Sequence, residues 1–258
     1  MFNFESFDTK VDTEVIGRNF IYSEEVESTN SFLLNKSNKF NSEGTILLAE
    51  KQSKGRGRKE RVWYSAKGQN LTFSILLTSK KYFGKKFNLL NFATSLSVAF
   101  ALENLFQLKT ELKWPNDVLV NGKKICGILL ESTSQGNKIE RVVIGIGLNV
   151  NQALFQGNFN LEPTSIKLEL GESVDREKLL AELLNTFEEI LQKMESKPDE
   201  IMKDWKDRCN LIGEKISVTE EDNTKYGIFE DLDEEGFLLL KTKNKIEKIH
   251  FGDVSSAQ

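Results

Sequence analysis

A short hairpin in the middle of the chain limits most strongly how the rest can fold. Two apolar runs, residues 118–120 and 125–130, stand on either side of an Asn121-Gly122 dipeptide. Asn-Gly between apolar runs is typical of the tight turn that joins two antiparallel strands. Pro115 lies just before the first run and has no N–H to donate to a sheet, so we expect it at a strand end. The sequence therefore predicts a strand that stops near Pro115, followed by a hairpin.

Four polar side chains flank the predicted hairpin. Lys113, Asn116 and Asp117 precede its first strand, and Lys124 follows its turn. Because strand ends are rigid, they would hold these groups in a fixed cluster, which is how binding and catalytic sites are usually built. A polar strand end beside a surface hairpin is the simpler interpretation of this segment alone. Two further segments favour a functional site.

Upstream, residues 50–65 are rich in glycine and positive charge. Six cations fall within eleven residues, namely Lys51, Lys54, Arg56, Arg58, Lys59 and Arg61. Gly55 and Gly57 allow backbone conformations in which N–H groups approach an anion. We expect this basic loop to be mobile until a polyanion binds and orders it.

Three kinds of loop fit this composition. A phosphate-binding P-loop would end in Gly-Lys-Ser or Gly-Lys-Thr, which is absent. A nucleic-acid patch would suit the local charge, but the net charge of the chain is −4. A solvated basic loop is the third alternative, and without the other motifs it would be favoured.

Downstream, residues 139–149 are predicted to form a strand that carries Gly145 and Gly147. Residues two positions apart on a strand share one face. Two glycines therefore leave that face bare, so that a ligand or another backbone can approach it. A bulge or a barrel corner is the alternative explanation.

Near the start of the chain, two hydroxyl side chains follow a predicted strand. Residues 20–26 form that strand, and Ser28 and Thr29 come directly before an apolar segment at residues 32–34. Serine and threonine are common helix caps. The two hydroxyls can cap the helix, face a ligand, or divide these roles between them.

Length and composition bound the class of protein. The 258 residues can hold one large domain and one small one, and the 39% hydrophobic and 29% charged residues are ordinary for a globular protein. The acidic N-terminal segment does not resemble a secretory signal, and no apolar stretch approaches the length needed to span a bilayer. With one histidine and two cysteines without metal-type spacing, a histidine-based triad or a zinc site is not expected.

The remaining pattern predicts an α+β fold. Helices are expected at residues 89–106, 175–195 and 198–208, and strands at 45–49, 70–78 and 109–114. From Gly213 onward the sequence pattern changes and predicts four short strands, at residues 216–218, 226–229, 237–240 and 246–251. We therefore expect a catalytic domain over residues 1–211 and a small β domain over 212–258.

Four segments, taken in order, resemble the biotin protein ligases. They are Glu27-Ser28-Thr29-Asn30, the basic loop up to Trp63, the Lys-Trp-Pro-Asn-Asp segment with its hairpin, and residues 143–151. The resemblance implies a mixed β-sheet flanked by helices, as in the class II aminoacyl-tRNA synthetases and biotin ligases. It also implies that the small C-terminal domain is an SH3-like β-barrel.

The chemistry implied by the resemblance needs positive charge. A free carboxylate has no leaving group, so the family activates biotin with ATP as biotinyl-5′-AMP, and a lysine of a carrier protein then displaces AMP. Cations must offset the repulsion between carboxylate and triphosphate. The resemblance assigns this role to Arg56, Arg58 and Lys124. Asp117 would orient or deprotonate the attacking lysine, and an ion pair of purely structural importance is the alternative.

The resemblance also assigns binding residues. Those expected to bind biotin are Ser28, Thr29, Gln52, Gly55, Arg56, Lys124, Gly127, Leu129, Gly145 and Gly147. Those expected to bind ATP are Arg56, Arg58, Arg61, Trp63, Lys113, Asn116 and Asn149, with Trp63 stacked on adenine. Mg²⁺ is expected on the triphosphate with water and phosphate oxygens as most of its ligands, so no side chain is assigned to a metal.

One residue departs from the family pattern. Family members commonly have glycine where this chain has Glu60. The change places a carboxylate in the phosphate loop, where we expect it to pair with Lys59 or Arg61 and to loosen retention of the intermediate.

The implied partner is a biotin carboxyl carrier protein, such as that of acetyl-CoA carboxylase. The enzyme is expected in the cytoplasm, as a monomer or homodimer, without nucleic acid or membrane. Because 27 residues precede Ser28, a DNA-binding helix-turn-helix domain is not expected in front. The alternatives are a lipoate or octanoate ligase or transferase of the same fold, and a nucleic-acid-binding module that uses the basic loop.

Overall fold

A computed structural model describes residues 2–83, 87–136, 138–221 and 223–257, apart from the side chain of Glu60. The chain builds a seven-stranded sheet flanked by helices, followed by a five-stranded sheet. The predicted α+β class is confirmed. The expected pairing of Glu60 with Lys59 or Arg61 lies outside the described residues.

The large sheet is mixed. Its strands are β1 (Phe20–Ser23), β2 (Ile46–Ala49), β3 (Leu71–Leu77), β4 (Thr110–Lys113), β5 (Asp117–Val120), β6 (Lys123–Gln135) and β7 (Lys138–Leu148). Their order across the sheet is β1-β2-β3-β7-β6-β5-β4. Strands β1 and β2 are parallel, and the other neighbours are antiparallel. Strand β3 is buried along its whole length, and its two polar residues, Thr72 and Ser74, are buried with it.

Helices cover both faces of this sheet. They are α1 (Phe4–Asp8), α2 (Thr29–Leu34), α3 (Phe87–Phe106), α4 (Ile166–Leu170), α5 (Arg176–Ser196) and α6 (Pro198–Lys206). Helices α3, α5 and α6 pack together over one face, where the rings of Phe92 and Trp205 stack 4.4 Å apart. Helix α2 packs against the other face through Leu33. The five-residue helices α1 and α4 were not predicted, because so short a segment shows no helical periodicity.

The expectation that no apolar stretch approaches membrane-spanning length is wrong for α3. Its 20 residues are long and apolar enough to cross a bilayer by length and composition. About two thirds of its most apolar window is buried inside the protein, against α5, α6 and strands β4 to β6. Such burial is what a core helix of a globular domain requires, and the helix is apolar on nearly all sides for that reason.

The central hairpin forms as predicted. Val120 pairs with Lys123 across a two-residue turn, in which Asn121 and Gly122 have φ angles of 51° and 72°. Both values lie in the left-handed region that an Asn-Gly turn requires. The peptide bond between Trp114 and Pro115 is cis. The turn fixes where Asp117 and Lys124 face each other.

A buried ion pair ties α5 to the sheet. The guanidinium of Arg176 donates to the two carboxylate oxygens of Glu50 at 2.7 and 2.9 Å. Burial alone would raise the pKa of Glu50, but the hydrogen bonds from Arg176 outweigh it and hold the pKa below its usual value. Glu50 ends β2, so this pair also anchors the start of the basic loop.

The C-terminal sheet has one strand more than predicted. Its strands are β8 (Lys215–Glu220), β9 (Asn223–Leu232), β10 (Leu238–Lys241), β11 (Ile246–Ile249) and β12 (Asp253–Ser256), in the order β11-β10-β9-β8-β12. Strand β12 was missed because Asp-Val-Ser-Ser has little β propensity. An SH3-like fold remains consistent with these strands, although in the described residues β11 and β12 are edges rather than a closing pair.

The two sheets are in contact beside the hairpin. The indole of Trp114 donates to the carbonyl of Gly236 at 3.2 Å, and Lys206 pairs with Asp231 at 2.6 Å. The expected boundary between residues 211 and 212 falls in the connection between α6 and β8. Because Trp114 lies between Lys113 and Asn116 of the polar cluster, the C-terminal domain lies next to that cluster.

Candidate active site

A cavity of about 660 Å³ opens between the large sheet and the C-terminal domain. Sixteen of the predicted site residues line it: Ser28, Thr29, Gln52, Arg56, Arg58, Arg61, Trp63, Lys113, Asn116, Asp117, Lys124, Gly127, Leu129, Gly145, Gly147 and Asn149. The exception is Gly55, which is buried in the loop itself, where a Cβ atom would collide with the carbonyl of Trp63. The four motif segments therefore converge on one site.

The polar cluster at the hairpin is an ion pair beside a buried lysine. Lys124 Nζ lies 2.6 Å from Asp117 Oδ1, and both side chains are mostly buried. Lys113 is opposite Asp117 in the pairing of β4 with β5. Burial lowers the pKa of Lys113, and the neighbouring charge of Lys124 acts in the same direction against the opposing effect of Asp117. Two cations and one carboxylate thus share one wall of the cavity.

Trp63 lies on the bare glycine face of the sheet. Gly127 and Gly147 are directly paired between β6 and β7, and a Cβ atom on Gly147 would overlap the indole. Lys124 Nζ is 5.7 Å from the centre of the same ring. The indole N–H is buried and has no hydrogen-bond partner among the described residues. The side chain predicted to stack on adenine therefore fills the surface predicted to receive biotin.

The open face of Gly145 is filled by Asn30 rather than by Trp63. A Cβ atom on Gly145 would collide with the side-chain oxygen of Asn30. Asn30 is buried and receives a hydrogen bond from Ser74 Oγ at 2.6 Å. The absence of a side chain at position 145 is thus explained by packing inside the protein, and contact of Gly145 with biotin stays a prediction.

Five of the six cations of the basic loop form ion pairs with carboxylates. Its ion pairs are Lys51–Glu25, Lys54–Glu27, Arg56–Glu131, Lys59–Asp253 and Arg61–Asp253. These pairs lie at the surface, since the side chains of Lys51, Lys54, Arg56 and Arg61 are 41–70% exposed. The mobility of the loop stays a prediction. What the structure adds is the set of carboxylates that pair with its cations.

Arg58 joins the loop to both domains. Its guanidinium donates to Asn116 Oδ1 at 3.3 Å and to the carbonyl of Gly252 at 3.2 Å. Burial lowers the pKa of Arg58, against the opposing effects of Asp253 and Asp117. Asn116 also donates to the carbonyl of Ile128 at 2.6 Å, so it is fixed to β6. The C-terminal domain therefore forms part of the wall around the predicted phosphate site.

Asn149 has a structural contact that the sequence did not reveal. Its side-chain amide donates to the carbonyl of Thr164 at 2.9 Å, and only 3% of the residue is exposed. It lines the cavity while holding the segment before α4 in place. A contact with the nucleotide stays a prediction.

Sequence reasoning missed several residues that line or support the cavity. Phe155, Phe159 and Pro163 belong to a connection with no regular secondary structure, which carries no periodic signal. Asp253 lies 192 positions from its partner Arg61, so no local pattern links them. Glu131 directly follows the second apolar run of the hairpin, and no local pattern suggested a partner for it.

The side chains that line the cavity are compatible with an Mg²⁺ ion that arrives bound to the nucleotide. Within the described ranges, no group of three or more histidine, cysteine, aspartate or glutamate side chains is placed to hold a metal. Magnesium bound to a triphosphate keeps waters and phosphate oxygens and needs at most one or two carboxylates. Asp117 lines the cavity beside Lys124, and the ion would supply charge neutralisation there.

Comparison with known proteins follows the same division of the chain. Residues 22–149 match the biotin/lipoate A/B protein ligase family, and residues 211–256 match the biotin protein ligase C-terminal domain. The bifunctional ligase/repressor BirA of Bacillus spizizenii is 34% identical over 247 residues, which cover 94% of this chain and 75% of that protein. The biotin–[acetyl-CoA-carboxylase] ligase of Paracoccus denitrificans is 33% identical over 205 residues, 76% of this chain and 83% of that protein.

A solved structure agrees with these sequence matches. Biotin protein ligase from Aquifex aeolicus in complex with biotin and ATP superposes with a TM-score of 0.80 at 32% identity, covering 92% of this chain and 98% of that chain. Fold and site thus define an enzyme of the biotin/lipoate ligase class. Within that class, the chain belongs to the biotin protein ligase family, as the sequence motifs predicted.

Proposed function

We propose that this enzyme attaches biotin to a lysine of a biotin carboxyl carrier protein in two steps at one cavity. In the first, a biotin carboxylate oxygen attacks the α-phosphorus of ATP, and pyrophosphate leaves with the bonding electrons. In the second, the carrier lysine attacks the acyl carbon of biotinyl-5′-AMP, AMP leaves, and the amine loses a proton. Relatives are named for ligation to acetyl-CoA carboxylase, which supports a carrier of this class.

The observation that carries this proposal is the cation group around the hairpin. Lys113, Lys124 and Arg58 line the same cavity, and two of them are largely buried. Bringing a carboxylate up to a triphosphate costs repulsion, and that repulsion grows as water is excluded. Fixed cations on one wall offset it without reorganisation during the reaction. Lys124 is held in place by Asp117, so it serves as a positioned point charge near the reacting groups.

The other end of the cavity suits the ureido ring of biotin. Gln52 Oε1 accepts two hydrogen bonds from Thr29, at 2.7 and 3.0 Å, which leaves its amide nitrogen free to donate. Ser28 Oγ accepts from the backbone of Ser31 at 3.4 Å and keeps its own hydroxyl hydrogen for a ligand. Thr29 thus orients Gln52, while Ser28 combines capping with binding.

Biotin would take the position that the indole of Trp63 holds in this structure. Gly127, Gly147 and Leu129 offer a flat apolar surface for the bicycle, and the indole covers it until the vitamin arrives. The displaced indole would then be available to stack on adenine. Closure of the basic loop over the intermediate would exclude water, which otherwise hydrolyses the mixed anhydride.

We further propose that the enzyme works in the cytoplasm. Cys126 and Cys209 are both free and buried, as in proteins that fold under reducing conditions. All the side chains assigned above come from one chain, so a monomer suffices for the chemistry, and a homodimer is the alternative. The net charge of −4 argues against nucleic acid as a partner.

Mass spectrometry tests the proposal directly. The protein is incubated with Mg²⁺ and ATP plus biotin, lipoate or neither, and then with a biotin carboxyl carrier domain. We expect biotinyl-adenylate only with biotin, followed by a carrier heavier by one biotinyl group. Lipoyl-adenylate alone would favour the lipoate ligase alternative. Salt-dependent nucleic-acid binding without any ATP turnover would favour a binding module.

A further inference from the structure

Glu131, on β6 at the edge of the cavity, holds two elements of the site at once. Its carboxylate oxygens accept from the guanidinium of Arg56 at 3.1 and 3.2 Å. One of those oxygens also accepts from Asn30 Nδ2 at 2.8 Å. Arg56 belongs to the basic loop and Asn30 to α2, so a single side chain links the loop to the helix that carries Thr29.

Asn30 transmits this link without freedom to adjust. The residue is 4% exposed, and its amide group also donates to the carbonyl of Leu129 at 3.1 Å. Its oxygen accepts from Ser74, and Gly145 leaves no space on the remaining side. A buried amide with its donors and its acceptor all satisfied has one favourable orientation. The position of Asn30 therefore depends directly on Glu131.

The network continues to the opposite end of the loop. Ser74 Oγ lies 2.7 Å from Thr29 Oγ1, and Thr29 donates to Gln52. Gln52 and Arg56 are four positions apart in the loop, so the hydrogen bonds and the backbone form a closed ring. Buried hydrogen-bond networks reinforce each other, and loss of one member loosens the others.

We propose that Glu131 is a positioning residue for biotin, holding Arg56, Thr29 and Gln52 in register through this ring. The inference rests on the proposed function, since it concerns the vitamin end of the same cavity. A carboxylate beside a site for an anionic vitamin would repel it unless neutralised. The guanidinium of Arg56 supplies that neutralisation, so Glu131 acts through geometry and touches neither substrate.

The test compares the constants for biotin and for ATP between the wild-type enzyme and a Glu131→Gln variant. The variant keeps the shape of the side chain but gives Arg56 no charged partner. We expect the Kd for biotin, measured by calorimetry without ATP, and the KM for biotin to rise by about tenfold, the scale set by a charge-assisted hydrogen bond. The KM for ATP should rise by less than that for biotin, because among the predicted ATP-binding residues in the described part of the chain Glu131 contacts Arg56 alone.

Two controls separate positioning from general stability. Glu140→Gln removes a surface ion pair with Lys36 from β7, the strand next to β6, and should change neither constant. Arg56→Gln combined with Glu131→Gln should bind biotin no worse than Arg56→Gln alone, because both act through one contact. If Glu131→Gln does not fold, Asn30→Ala breaks the other contact of Glu131 and must show the same difference between the biotin and ATP constants.

Three results would overturn the inference. They are an unchanged biotin affinity in Glu131→Gln, an equal rise of both KM values, and full additivity with Arg56→Gln. Each of these results counts against the inference only if the wild-type enzyme forms biotinyl-adenylate. If the wild-type enzyme forms none, the proposed function fails first, so the two failures are distinguishable.

Discussion

Lys124 Nζ and Asp117 Oδ1 lie 2.6 Å apart at the root of the hairpin, where strands β5 and β6 are joined by two residues. An ion pair held on adjacent strands keeps a fixed geometry at little entropic cost. Beneath it Cys126 is fully buried, which raises the pKa of its thiol far above the usual range. Cys126 is therefore inert packing, and the chemistry of this wall belongs to Lys124, Asp117 and Lys113.

Replacing Asp117 tests its role in the second step. Asp117→Asn keeps the size of the side chain but can neither accept the proton of the attacking lysine nor balance Lys124. We expect transfer to the carrier to fall by about 100-fold, the usual scale for loss of a general base, with a smaller effect on adenylate formation. Quenched-flow assays of each half-reaction measure the two rates. Transfer at the wild-type rate would show that Asp117 is only structural. Asp207→Asn, which breaks an exposed pair with Lys203, is the control.

Replacing Lys124 tests the fixed point charge. Lys124→Ala removes the cation nearest Asp117, and we expect adenylate formation to slow by about 100-fold or more, as for loss of one preorganised electrostatic contact. Lys123→Ala is the matched control, because the neighbouring side chain of Lys123 points outward. Its Nζ lies 2.7 Å from a carboxylate oxygen of Glu162. Pyrophosphate release measured with excess biotin reports the rate. Equal rates for the two variants would contradict the assignment.

Tryptophan fluorescence tests whether biotin displaces the indole of Trp63. Trp114 and Trp205 are 3% and 1% exposed, so both should be insensitive to the ligand, whereas Trp63 is half-buried on the glycine face. We expect biotin to shift the emission of the wild-type protein and to leave that of Trp63→Phe unchanged. A shift of the same size in Trp63→Phe would show that the change in emission does not come from the indole of Trp63.

The contact of Asp253 with the basic loop should depend on pH. Burial would raise the pKa of Asp253, but hydrogen bonding to Lys59 and the charge of Arg61 outweigh it and hold the pKa below the usual 3.8. The stabilisation is therefore present above the unfolded value and is lost as pH falls through the lower, folded value.

An Asp253→Asn variant measures this contribution. At neutral pH we expect it to lower the free energy of unfolding by about 0.5 to 1 kcal/mol, since the pair is partly exposed. The difference from wild type, followed by denaturant unfolding, should shrink below about pH 4. A difference independent of pH would exclude the ion pair as its source.

Local features of this fold were predictable, and distant partners were not. The hairpin followed from Asn121-Gly122 because the turn geometry depends only on the φ angles of those two residues. The bare faces of Gly145 and Gly147 were also predictable from spacing. Which side chains fill them was not, because Asn30 and Trp63 arrive from α2 and the basic loop, and no pattern in one strand encodes a contact with another segment.

The basic loop illustrates the same limit. Its charge indicated an anion site, and the structure brings its arginines to the cavity as expected. The carboxylates that pair with them, Glu131 and Asp253, come from β6 and from the other domain. A charge run alone cannot distinguish free cations from paired ones, so these partners could not be predicted from the sequence.

A crystal structure with biotin and a non-hydrolysable ATP analogue tests the central claim most directly. The account predicts the biotin carboxylate and the α-phosphate side by side, within about 4 Å of Lys124 Nζ, with arginines of the basic loop on the phosphates and the indole of Trp63 moved off Gly147. Ligands bound away from Lys124 and Arg56 would contradict it.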